Sequence, residues 1–141
     1  MSKSKDLDFE VGLWGWKVEE PVLSFTLDGQ ISGGKNHIGI TRTGHRYPAS
    51  KNFINWRSYA IAQLIPLRPH TPIDYPVKMV VRYWKSDKRR RDIAALQDSL
   101  SHVLEREELI TDDVLIEDIE WYTVGLDREK PRVEVQVYRK G

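Results

Sequence analysis

The run Lys88-Arg89-Arg90-Arg91 passes directly into Asp92, setting four cations against one carboxylate. Cations of this kind hold phosphate oxygens, and a carboxylate offers a divalent metal hard oxygen donors. A second acidic point, Asp112-Asp113, follows further along the chain. Two carboxylate points beside a cation cluster suit metal-assisted hydrolysis of a phosphodiester. Each also has a plainer reading: Asp92 as a helix N-cap, Asp112 and Asp113 as turn residues. Asp98 is a further candidate ligand, but six residues at 3.6 per turn place it about 120° round a helix from Asp92. Its convergence with Asp92 therefore depends on the looser first turn, and an acid paired with an exposed cation is equally open. His102 is the helical neighbour of Asp98, whereas His37, His45 and His70 show no ligand spacing. No Ser/His/Asp or cysteine nucleophile arrangement is discernible, which excludes the usual covalent routes.

The elements that must position these groups come next. Ile93, Leu96, Leu100, Val103 and Leu104 fall at helical spacing, so a helix with one apolar stripe begins at Asp92 and ends before the Asp112-Asp113 turn. Tyr75 to Trp84 reads as a strand by its alternation, and Pro21 to Leu27 by its apolar and β-branched content. Lys51 to Ile65 reads as an earlier helix, capped by Ser50 and stopped by Pro66, with Phe53, Ile54, Ala60, Ile61, Leu64 and Ile65 on its core face. Val114 to Val124 and Arg132 to Arg139 read as antiparallel strands joined around Gly125–Pro131. Between the first strand and the first helix lie a Gly-rich loop, Gln30 to Asn36, and two short strands around Thr43-Gly44. Gly33-Gly34 matches neither a P-loop nor a dinucleotide fingerprint, and a plain connector is its simpler reading. The order strand, hairpin, helix, strand, helix, strand, strand predicts an α+β fold: a mixed β-sheet packed against two principal helices in a single domain, 20–141. Residues 1–19 read as an arm, possible as a strand or a clasp on a partner through Trp14 and Trp16.

The string Arg90-Arg91-Asp92-Ile93-Ala94-Ala95-Leu96, the helix after it and the Asp112-Asp113 turn before a strand resemble the RusA family of Holliday-junction resolvases. The usual motif of that family is Arg-Arg-Asp, any residue, Asp-Asn-Leu, with a further Asp at the later turn. Asp92 matches the first aspartate, and Asp113 or Asp112 the last. Ala94 stands in place of the second aspartate and Ala95 in place of the Asn, while Asp98 occupies a place where Lys is common. The resemblance implies a RusA-like sheet and a dimeric, Mg²⁺-dependent endonuclease (Mn²⁺ a substitute) that cuts four-way branched DNA. It implies cuts leaving 5′-phosphate and 3′-hydroxyl ends, with Asp92, Asp113, Asp112 and Asp98 as catalytic and metal candidates. A homodimer is expected through Trp14, Trp16 or the sheet edge near Arg132–Tyr138, because paired cuts in a two-fold junction call for two sites. Ala94 keeps a second reading open, a branched-DNA-binding protein with impaired catalysis, and a structural protein using the scaffold is a third.

Charge distribution bears on both readings. The net charge is only +1, yet no acidic residue occurs between Asp28 and Asp74, a stretch holding Lys35, Arg42, Arg46, Lys51, Arg57 and Arg68. The segment from Asp92 to Glu120 is the reverse, with Arg106 as its one arginine or lysine among many carboxylates. Such separation offers a positive surface to a polyanion and a negative pocket to a cation. Lys35, Asn36, Arg42, Arg46, Lys51, Lys88, Arg89, Arg90 and Arg91 are the candidate DNA contacts, against the alternative of solvated faces. At 141 residues with no cysteine, the chain can bury a core without disulfides or thiolate metal sites. No apolar run reaches the roughly 20 residues of a bilayer span, and the expected location is cytoplasmic.

Overall fold

The computed structural model describes residues 20–34, 39–40, 46–47 and 51–141, with backbone alone at 39–40 and 46–47. Strand β1 (Leu23–Asp28) is followed by the two-residue strands β2 (Gly39–Ile40) and β3 (Arg46–Tyr47), which pair antiparallel. Helix α1 (Lys51–Leu64) runs into a 3-10 turn, Ile65–Leu67, where Pro66 removes a backbone donor and stops the helix. Then come β4 (Val77–Lys85), α2 (Ile93–Arg106), a short 3-10 turn at Asp113–Leu115, β5 (Ile116–Leu126) and β6 (Arg132–Arg139). The expected α+β architecture stands: one four-stranded mixed sheet with two helices.

The strand order β1-β6-β4-β5 departs from the sequence reading at one point. β5 and β6 were expected as a hairpin, but β4 lies between them, parallel to β5 and antiparallel to β6. The reason is burial. Val77, Met79, Val80, Val81 and Tyr83 are all buried, so β4 takes the interior position that covers both its edges. The β5–β6 connection crosses the end of β4, where the Asp127 N–H donates to the Lys85 carbonyl at 2.8 Å. Consequently β6, paired on both sides, has no free edge, and the expected dimer contact at a sheet edge near Arg132–Tyr138 is ruled out. Trp14 and Trp16, with the rest of the arm, lie outside the described residues.

The core sits between the sheet and the helices. Phe53, Trp56, Ala60 and Leu64 supply the buried face of α1, with Ile54 and Ile61 half-buried and Ile65 exposed. Leu96, Leu100, Val103 and Leu104 supply that of α2, as the stripe requires. Truncating a fully buried leucine such as Leu100 to Ala would cost about 2–5 kcal/mol. No helix among the described residues is long and apolar enough to cross a membrane.

Candidate functional site

β4, α2 and β5 form a parallel strand–helix–strand unit, which puts the β4–α2 connection at the carboxyl end of β4 and the α2–β5 connection at the opposite end of the layer. The carboxyl ends of parallel strands, facing helix N-termini, are where such sheets place ligands. Here that connection carries Asp87 to Asp92.

A cleft of about 800 Å³ opens at this end. One wall is Arg89, Arg90, Arg91 and Asp92, and the loop Gly29 to Gly34 forms another. Asn52, Asn55, Trp56 and Tyr59 line the α1 side. Gln30 ties the walls together: its Nε2 donates to the Tyr83 hydroxyl at 2.7 Å, and its Oε1 accepts from the Ser86 N–H at 2.8 Å. The glycine loop approaches α2 so closely that a Cβ on Gly33 would stand 2.8 Å from the Ala95 Cβ. Gly33 is therefore required by space, a reason the connector reading did not supply.

The three arginines differ. Arg91 is clamped to Asp87 through Nη1–Oδ1 at 2.8 Å and Nη2–Oδ2 at 3.2 Å, with little side-chain exposure. That hydrogen bond, then the Arg89 backbone N–H, hold the Asp87 carboxyl down at about 2. The same bond, against some desolvation, raises Arg91 above its ordinary value. Arg91 thus braces the loop, while Arg89 reaches the same Asp87 carboxylate only at 3.9 Å with 82% of its side chain exposed, so it and the exposed Arg90 can still meet an anion. Lys88 and Lys51 are also exposed. Lys35, Asn36 and Arg42 lie outside the described residues, as does Ser50, and Arg46 is described only as backbone in β3.

Asp92 is the N-cap of α2, as its plainer reading has it: Oδ1 accepts from the Ala95 N–H at 3.4 Å. Its carboxylate is exposed and lines the cleft, so capping leaves oxygen for a second partner. No family model matches the chain, and no curated protein matches it. The arrangement of its own residues has to carry the functional argument.

At the other end of α2, Glu105, Asp112 and Asp113 each bring a carboxylate oxygen within 4.8 Å of the others. Glu105 Oε1 accepts from the Asp113 N–H at 2.7 Å, and Asp112 Oδ1 caps Val114 at 3.0 Å. Each of these two carboxylates keeps a second oxygen for another partner. Three hard oxygens at this spacing fit Mg²⁺ or Ca²⁺ by donor type. Glu105 was missed in the sequence, although its place in the last helical turn before the Asp112-Asp113 turn is a readable signal.

The structure does not bring Asp92 and Asp113 together. With about 1.5 Å of rise per residue, Asp92 is some 20 Å along the axis from Glu105, which holds Asp113. Asp98, exposed and about 9 Å from the Asp92 end, belongs to neither group. Convergence of Asp92, Asp98, Asp112 and Asp113 within one chain is accordingly corrected: a 14-residue helix is a spacer.

Proposed function

We propose that the chain is a metal-dependent, structure-selective endodeoxyribonuclease of the RusA kind, acting on four-way branched DNA. The observation that supports this most is the cleft, where exposed Arg89 and Arg90 share a wall with an exposed carboxylate, Asp92. Arg89 and Arg90 would hold backbone phosphates, and Asp92 beside them would help hold the metal. A bound Mg²⁺, or Mn²⁺ in its stead, supplies Lewis acidity and a water of lowered pKa.

The separation of the two acidic points gives the reading a definite form. A site that uses Asp92 together with Glu105, Asp112 and Asp113 needs two copies of the chain. A two-fold axis that sets the α2 helices antiparallel brings Asp92 of one copy to Asp113 of the other, and it does so twice. Two such sites match the two cuts of a symmetric junction.

The second reading, a branched-DNA-binding protein with impaired catalysis, is favoured by Ala94. This residue is exposed in the first turn of α2, where a carboxylate would join Asp92. The test is a labelled four-way junction incubated with the protein, with and without Mg²⁺ or Mn²⁺. Metal-dependent symmetric cleavage is the expected result. Binding without cleavage in either metal transfers the assignment to the binding protein, and absence of binding removes both.

A further inference from the structure

Helix α1 turns an unusual stripe to the cleft: Asn52, Asn55, Trp56 and Tyr59, at i, i+3, i+4 and i+7. A hydrophobic stripe at this spacing would be core, but three of these four residues are exposed, Tyr59 to 51%. The Tyr59 ring lies against Gly29, where a Cβ would stand 3.1 Å from its Cδ2. Gly29 also has φ +106°, so a left-handed glycine forms one side of the shelf on which the ring rests. Trp56, on the same stripe, is buried at 5% exposure, and among the described residues its indole N–H meets no hydrogen-bond partner.

An open aromatic ring offers a stacking surface. The side-chain amides of Asn52 and Asn55 both donate and accept, as needed to read the edge of a base. Arg89 and Arg90 across the cleft supply the phosphate end. The volume of about 800 Å³ falls in the roughly 300–1,000 Å³ range of small-ligand sites. Paired bases inside a duplex expose neither face, whereas a base at a branch point leaves its stack at low cost.

We propose that this cleft takes one unpaired nucleotide, its base stacked on Tyr59, its edge met by Asn55 and Asn52, and its phosphates held by Arg89 and Arg90. The inference deepens the reading of the cleft as the DNA site and rests on it. It makes branch selectivity a matter of admitting an unstacked base.

The test compares three DNAs at one salt concentration: a four-way junction, a single strand and a fully paired duplex. Affinities are measured for the wild type, Tyr59→Ala and Tyr59→Phe, with thermal melting to confirm that each variant folds. Tyr59→Ala should weaken junction and single-strand binding by about tenfold or more, the scale of one lost base stack, and leave duplex affinity unchanged. Tyr59→Phe should retain both. Equal loss on all three DNAs, or no loss on any, overturns the nucleotide site while the DNA reading of the arginine wall survives. If the wild type binds none of the three, the nucleotide site and the nuclease reading both fall.

Discussion

The two ends of α2 carry opposite charge. Its N-terminal end is an arginine wall around Asp92, with positive helix-dipole character added to the cations. Its C-terminal end gathers Glu105, Asp112 and Asp113, where carboxylates face the negative end of the dipole. Like charges held together there are unfavourable unless a cation joins them, whereas the cations at the N-terminal end call for an anion. The C-terminal end is nevertheless anchored firmly. Glu107, buried at 6%, receives Arg68 Nη2 on Oε1 at 2.6 Å and Arg68 Nε on its carbonyl at 3.0 Å. Glu108 closes the turn in the left-handed region, at φ 62°, a strained choice for a residue with a side chain. One helix thus holds a cationic end and an acidic end apart, and the comparison can be attacked from either side.

The largest effect is expected from breaking either end. Asp92→Asn and Asp113→Asn should each lower junction cleavage by more than about a hundredfold, beyond what supporting groups around a metal usually cost. Asn caps a helix about as well as Asp, so Asp92→Asn separates ligation from capping. Co-expression of the two variants sharpens the comparison. If the ends meet only between copies, a mixed dimer contains one site with both aspartates intact. Random mixing should then restore about a quarter of the wild-type sites, seen as nicking of one strand. No restoration would place Asp92 and Asp113 in separate sites.

Next in size is the salt response. If about five phosphates are neutralised, log K should fall by roughly 4 to 5 per tenfold rise in salt. Reversing both Arg89 and Arg90 to Glu should weaken binding to junction and duplex alike and flatten that slope by about 2.

A smaller effect is expected from the C-terminal anchor. Arg68→Ala takes the 2.6 Å partner from the buried Glu107 carboxylate and leaves it only the looser Arg106 contact at 3.9 Å, and denaturant unfolding should report a loss of about 2 kcal/mol. The estimate is kept low because the Arg68 side chain is 45% exposed, so solvent screens the pair. The smallest concerns the N-terminal brace. Asp87 titrates at about 2 in the fold against an ordinary 3.8, so its contribution is present above that ordinary value and is lost as pH falls from about 4 to about 2. Thermal melts of wild type and Asp87→Asn should differ near pH 6 and converge towards pH 2.

Much of this scaffold was legible in the chain. The stripe of α2, the cap at Asp92, the alternation of β4 and the stop at Pro66 depend on neighbours close in sequence, which local patterns report. Sheet order was not legible, because periodicity identifies β5 and β6 as strands without saying which strand each will pair with. The convergence of Asp92 with Asp113 failed for a reason the sequence did contain: a helix of this length separates its ends by a fixed rise. Tyr59, Asn52 and Asn55 were overlooked because their stripe mixes amides with aromatics and so gives no hydrophobic signal. The roles of Arg89 and Arg91 separated only when the clamp to Asp87 became visible.

The contact between Gly33 and Ala95 carries a constraint on how such a chain can diverge. The width of the cleft at its inner edge depends on the combined size of two residues far apart in sequence, both near the lower limit. An enlargement at position 33 must push the glycine loop away from α2 and open the gap unless Ala95 shrinks to glycine, whereas position 33 has nothing left to give up. A methyl group added at Gly33 would therefore act as a spacer between the loop and α2. Positions 33 and 95 are tied by volume, and the calibre of the entrance is the quantity they jointly inherit.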